Sequence, residues 1–314
     1  MASTPVATGD SVVPPDFDFT PQGDQMTSRF SKLLTSLLAA AGALLVAPAL
    51  AATLYGTTGA GGDPSILVQL DPATGALIST IGPVGYQVNG MASGRDGTLY
   101  AVTRAADPAC PRGLISINTT TGAGTPIGCG ASGSGDRPVL LTADASGQLY
   151  GWWDPSADDL ITWNKVTGTY SAPISVAIGT GSHTLAFDVP GTTLYLLQGS
   201  TLYTVNPTTG SFTDLGTVTG SSGEGHHGDF NPDTGRLYAI NGTNVPSPGL
   251  VVIDVASRTQ IASLPTVPYL HTLAFFGPPA PVVVQEVPVD NPWALAAVAL
   301  LLAAFGAAYM RRQA

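Results

Sequence analysis

Charge is scarce in this chain. Charged residues fill 10% of its 314 positions, and lysine occurs only at Lys32 and Lys165. A helical bundle or coiled coil, which is rich in Glu, Lys and Arg, is thereby excluded. A disordered acidic chain is excluded as well, since it would carry more charge and far fewer apolar residues than the 44% found here. Basic residues number 11 against 21 acidic ones, a net charge of −10, so no nucleic-acid partner is expected. Cysteine is limited to Cys110 and Cys129, whose spacing is not that of a Cys-x-x-Cys redox motif. The sequence holds no Gly-x-Ser-x-Gly elbow and no His-Glu-x-x-His helix motif. Its Gly-rich stretches, 130–135 and 220–228, lack the lysine of a phosphate loop and read as loops.

Turn formers are abundant instead. The chain has 38 Gly and 26 Pro, which implies many short strands. One unit repeats along it. Leu-Tyr occurs at Leu54-Tyr55, Leu99-Tyr100, Leu149-Tyr150, Leu194-Tyr195 and Leu237-Tyr238, at spacings of 45, 50, 45 and 43. A small-apolar strand such as His183 to Phe187 precedes the Leu-Tyr strand, and an alternating strand such as Gly249 to Asp254 follows it. Turns such as Asp71-Pro-Ala-Thr-Gly75 and Asn206-Pro-Thr-Thr-Gly210 lead into a last short strand. In these turns Asp or Asn caps the backbone, Pro presets φ, and Gly takes the left-handed position.

Four strands in roughly 45 residues is the arithmetic of a β-propeller blade. Over residues 53–277 the pattern resembles YVTN-type and NHL-type propeller repeats. The expected fold is therefore all-β, a five-bladed β-propeller over residues 52–277; an open sandwich is the alternative architecture. The strand at Thr53-Leu54-Tyr55 reads as the second strand of a blade, and His271 to Phe276 reads as a first strand with no Leu-Tyr after it. Pairing of these N- and C-terminal strands is expected to close the ring.

The two ends read as targeting segments. Residues 26–51 form a signal peptide: Arg29 and Lys32 supply the positive region, 33–46 the apolar core, and Ala49-Leu50-Ala51 the cleavage site. Residues 1–25 are expected to be a disordered extension, or to lie upstream of the true start at Met26. Residues 278–290 form a Pro-rich linker ending in a sorting motif, and residues 291–314 a transmembrane sorting tail. Trp293 to Met310 is free of charge and would rise about 27 Å as a helix, near the roughly 30 Å hydrocarbon core. Pro288 and Trp293, the apolar span, and Arg311-Arg312 together resemble the IPTL-CTERM and PEP-CTERM sorting signals of Gram-negative bacteria. That resemblance implies an exosortase-type protease as partner and a final place at the cell envelope or cell surface.

In an exported chain Cys110 and Cys129, which flank one strand of the second repeat, are expected to pair. His183, His226 and His271 share one slot of the repeat, four residues before Phe187, Phe230 and Phe275. First strands line a propeller channel, so these imidazoles are expected to converge, with His227 and Glu224 at the rim and Asn89 in the same slot of another blade. Imidazoles about 2.0–2.1 Å from one centre would suit a divalent transition metal; a watered polar channel is the competing reading, and no cofactor is fixed. Trp152, Trp153 and Trp163 read as packing between blades or as a sugar-stacking platform, and Asp158-Asp159 as turn residues. Propellers that resemble this one include lactonases and lyases with channel sites. The reading favoured is a non-enzymatic binding or structural module of the envelope, with a protein or glycan ligand. A metal-dependent hydrolase or lyase with a His-lined channel is the alternative.

Overall fold

A computed structural model describes residues 51–277, apart from 60–61, 131–136, 155–157, 180–182, 222–225 and 244. The signal segment, Glu224, and the tail with Pro288, Trp293, Arg311 and Arg312 lie outside the described residues. Among the described residues no helix is long and apolar enough to cross a membrane.

Twenty strands follow one another. The first seven are β1 (Thr53–Thr58), β2 (Ile66–Leu70), β3 (Leu77–Pro83), β4 (Val88–Ser93), β5 (Leu99–Thr103), β6 (Leu114–Ile117) and β7 (Gly124–Gly128). Next come β8 (Arg137–Ala143), β9 (Leu149–Asp154), β10 (Asp159–Trp163), β11 (Ile174–Ser175), β12 (His183–Phe187), β13 (Leu194–Gln198), β14 (Thr201–Val205) and β15 (Phe212–Thr217). The last are β16 (His226–Phe230), β17 (Leu237–Asn241), β18 (Gly249–Asp254), β19 (Thr259–Pro265) and β20 (Leu270–Phe276). They form five four-stranded antiparallel sheets, ordered β20-β1-β2-β3, β4-β5-β6-β7, β8-β9-β10-β11, β12-β13-β14-β15 and β16-β17-β18-β19. The inner strands β20, β4, β8, β12 and β16 touch in turn and close a ring, so the fold is a five-bladed propeller. The first blade is built from both ends of this ring: Thr53 pairs with Phe276, and the ladder runs to Thr58 opposite Leu270.

The Leu-Tyr repeat has a packing reason. Each leucine (54, 99, 149, 194 and 237) is at most 1% exposed. Three of the tyrosines carry their rings onto a Phe near the end of the next inner strand: Tyr150 on Phe187 at 5.2 Å, Tyr195 on Phe230 at 5.4 Å, and Tyr238 on Phe275 at 5.0 Å. Five apolar clusters result, each formed mainly between two neighbouring blades. Burial between blades, rather than within one, therefore drives this fold.

The outer turns stitch blades together. In Asp71 to Gly75, Asp71 accepts hydrogen bonds from Ala73 N and Thr74 Oγ1, and Gly75 N donates to Asp71 O. The turn of the following blade presses on the outer strand of the one before: Gly75 faces Pro265, and Gly210 faces Ser175. In the last blade Arg258 replaces the glycine at φ +53, and its guanidinium donates to Leu215 O.

Two expectations resolve simply. Trp152, Trp153 and Trp163 are each at most 6% exposed and belong to the inter-blade clusters, which excludes an exposed sugar-stacking platform. Asp159 opens β10 rather than sitting in a turn, while Asp158 just before it is buried and accepts Val176 N through its carbonyl.

Candidate functional site

Four of the five inner strands carry a β-bulge, β12 being the exception. The ladder slips between Val88 and Gly90, Pro138 and Leu140, His226 and Gly228, and around His271. Each slip leaves one extra residue: Asn89, Val139, His227 and His271. A bulge breaks the side-chain alternation of a strand and re-aims the extra residue. In β16 it falls one residue later relative to the histidines than the strict repeat implies. His226 stays in register opposite Ile240, while His227 occupies the bulge at φ +40.

That shift decides which histidines meet. The ring of His227 lies 4.9 Å from that of His271, and both residues are buried. The half-buried His226, which the repeat slot singles out, pairs within its sheet instead. His183 is buried against Trp152, ring centroids 5.1 Å apart. The nitrogen His271 Nε2 lies 3.1 Å from Asn89 Oδ1 and 3.3 Å from Arg104 Nη2. Asn89 Nδ2 in turn donates to Pro138 O at 2.8 Å. This last bond orients the amide, so Asn89 Oδ1 faces the imidazole. A chain of contacts thus runs from His227 to His271, Asn89 and Pro138, across four inner strands.

Arg104 follows β5 on a loop that the repeat pattern left variable. The loop is held tightly. The buried Asp107 carboxylate accepts from Gln87 N, Ala109 N and Cys110 N at 2.6, 2.9 and 2.7 Å. Thr103 Oγ1 donates to Cys110 O and accepts from Gly113 N. Arg104 N donates to Gln87 O, and Arg104 O accepts from Arg112 N. The Cys110–Cys129 disulfide closes the segment. With its two cysteines separated by 19 positions in sequence, the bridge contributes roughly 3 kcal/mol on the loop-entropy account. Replacing both cysteines with serine is expected to remove about that much stability. Urea titration measures it, and a loss within experimental error would contradict this role.

Among the described residues no group of three or more His, Cys, Asp or Glu side chains is placed to hold a metal. A cation at His271 Nε2 would also stand beside the Arg104 guanidinium, a like-charge contact that costs energy in a buried place. Burial, then His271, His226 and Arg104, hold the His227 imidazole well below its usual range, so it is neutral at pH 7.

A second titratable group lies two residues further along β16, at Asp229. The residues paired with the five Leu-Tyr tyrosines are Ala92, Thr142, Ala186, Asp229 and Ala274. Asp229 alone in this slot is ionisable, a signal that aligning the repeats by eye can reveal. Its carboxylate accepts Phe275 N from the next inner strand at 2.8 Å. Burial pushes it up to about 7, against the pull of the Phe275 and Phe230 amides and of Arg95. Arg95 itself donates to Asp144 O and Val189 O, tying the inner turns of three successive blades.

Opposite pH dependences follow. Asp229 binds its proton more tightly folded than unfolded, so its contribution is complete below about pH 4 and is lost as pH rises through about 7. His227 is the reverse: its contribution is present above about pH 6.5 and is lost as pH falls below that. Asp229→Asn is expected to flatten the decline in stability between about pH 5 and 7, by up to about 1.4 kcal/mol per pH unit. Denaturation curves collected across that range provide the check, and parallel slopes for the two proteins would contradict it.

No family model matches the chain, and no curated protein matches it. Some solved structures show a partial similarity. A structure of the nidogen/laminin complex is 13% identical, with 72% of this chain and 98% of that one covered and a TM-score of 0.45. A putative gluconolactonase is 17% identical, covering 73% and 83%, at 0.45. TolB from Acinetobacter baumannii is 10% identical, covering 72% and 66%, at 0.45. The strand order of the five sheets is what makes this chain a propeller.

Proposed function

We propose that this chain is an exported propeller that serves as a binding or structural module of the bacterial cell envelope, held there at least transiently by its C-terminal segment. The observation that carries the binding role is the channel mouth. Asn89, Arg104, His227 and His271 come from three blades and meet at one level, with Asn89 and His271 buried and locked by their neighbours. Polar groups fixed before a ligand arrives lose little entropy when it binds. A protein or glycan of the envelope is the ligand class this reading favours.

Export is supported by the signal-like segment 26–51, by the Trp293-to-Arg312 tail, and by a disulfide, which persists in oxidising compartments. An exosortase-type protease is the partner that would act on the tail near Pro288 and Trp293. Fractionation combined with mass spectrometry of both chain ends tests the reading. The expected product starts at Ala52, is found in the envelope fraction, and has its tail in the membrane or removed. Recovery of the full-length chain as a soluble cytoplasmic protein would overturn it.

A further inference from the structure

We propose that cleavage after Ala51 turns the Ala52 nitrogen into an ammonium that pairs with Asp233, an ion-pair latch at the seam of the ring. This rests on the reading of residues 26–51 as a signal segment and names what its removal does to the fold.

Ala52 N donates to Asp233 Oδ2 at 2.8 Å, although the two residues are 181 positions apart in sequence. The bond sits where the blade plan is broken. In four blades a turn joins the inner strand to the second strand, and the turn is closed by its own backbone: Gly94 N donates to Thr98 O, Asp144 N to Gln148 O, Asp188 N to Thr193 O, and Asn231 N to Arg236 O. The first blade has no such turn, since β20 and β1 come from opposite ends of the described chain. The inner turn of the last blade reaches across instead. Asp233 lies in that turn, which Asn231 fixes by accepting Asp233 N through Oδ1 and Gly235 N through its carbonyl. Arg236, the cation nearest to it in sequence, is paired with Asp254. The Asp233 carboxylate is thus aimed at the start of β1.

Burial changes at the same bond. Ala51 is exposed, whereas Ala52 is 7% exposed and packs in one cluster with Leu54, Tyr238 and Phe275. A signal peptidase adds water across the Ala51–Ala52 bond. The Ala51 carbonyl carbon keeps the oxygen as a carboxylate, and the Ala52 nitrogen takes the two protons and becomes an ammonium. A neutral N–H facing a carboxylate is thereby replaced by a full positive charge, and a hydrogen bond between two charged groups is the stronger kind. A cut after Leu50 would leave the charge one residue farther out. A cut after Ala52 would remove the buried donor.

The test uses the processed protein recovered from the envelope fraction, with its first residue read by mass spectrometry. Cyanate carbamylates the α-amino group, and Lys165, the single lysine after residue 51, is the internal reference. Pairing with Asp233 should raise the α-amino pKa above its ordinary value of about 7.7–8.0. Labelling of the wild-type terminus at pH 7 should then be about 1.5-fold to fivefold slower than in Asp233→Asn. Asp233→Asn keeps an oxygen that can accept the hydrogen bond, and it should lower Tm by about 1–4 °C. Carbamylation keeps an N–H but removes the charge, so it should shrink that Tm difference by about half or more. A first residue of Ala52 with equal labelling and equal melting in the two proteins would overturn the latch and leave export intact. A different first residue would overturn the latch together with the cleavage reading. If Asp233→Asn does not fold, labelling of the folded and the urea-unfolded wild-type protein decides it, and equal α-amino pKa values in the two states would overturn the latch.

Discussion

Deletion of residues 270–277 is expected to abolish cooperative folding of the propeller. The deletion removes β20, the inner strand of the first blade, and leaves the β1 edge without its ladder. Leu270, Leu273 and Phe275, each at most 4% exposed, go with it. At about 1.5–3 kcal/mol for each large buried side chain, their burial alone rivals the roughly 5–15 kcal/mol of net stability a domain possesses. The buried hydroxyl pair of Thr57 and Thr272, 2.7 Å apart, loses one member, and Asp229 loses the Phe275 amide. Contacts of β20 with both β4 and β16 vanish, so the ring opens. The exposed edge of β1 then becomes a template for aggregation. Circular dichroism melting is the measurement, and a variant with unchanged melting would contradict closure through the chain ends. A circular permutant supplies the control. Thr53 and Phe276 are paired directly, so a short hairpin linker can join them while new ends are opened in an outer loop. That permutant is expected to fold, because every strand is kept.

The second large effect is expected from Gly210→Ala. Gly210 closes the Asn206 turn at φ +72, and a β-carbon there would stand 2.1 Å from Ser175 O in the preceding blade. Two costs combine. The left-handed backbone costs an L-residue about 1–2 kcal/mol. Forcing apart two packed blades costs about 1–3 kcal/mol more. The sum of about 2–5 kcal/mol corresponds to a fall in Tm of roughly 4–20 °C for a domain of this size. Gly235 separates the two terms, since it has a similar φ of +67 but nothing within 4 Å of its β-carbon position. Gly235→Ala should therefore pay the backbone cost alone. Equal losses at the two glycines would remove the inter-blade contact from the account. Arg258 shows how the protein manages a side chain in this slot: its backbone contacts Thr219, and its guanidinium reaches back to the previous blade.

The fold was legible in the sequence because a propeller writes its period into the chain. Leucine is buried and tyrosine meets the next blade in copy after copy, so Leu-Tyr marks the second strand of each blade. Counting those marks yields five blades, and the unmatched strands at the two ends yield their pairing. Cysteine partnership followed from there being only two. Local chemistry and hydrophobic burial determine all of this, and both repeat with the sequence.

The site was legible only in part, because it depends on departures from the period. The repeat slot groups His183, His226 and His271, yet a bulge one residue long moves His227 into the place beside His271. A bulge reflects the competition between ladder hydrogen bonds and packing around a crowded axis, and no local residue pattern records its outcome. Tertiary packing likewise put Trp152 against His183 and brought Arg104, 167 residues away in the chain, to His271. Sequence alone determined the blades, their number and their closure, since these rest on local turns and on burial repeated in each copy. Only the tertiary structure decided which side chains share the channel mouth, since that depends on strand register and loop path across blades far apart in sequence.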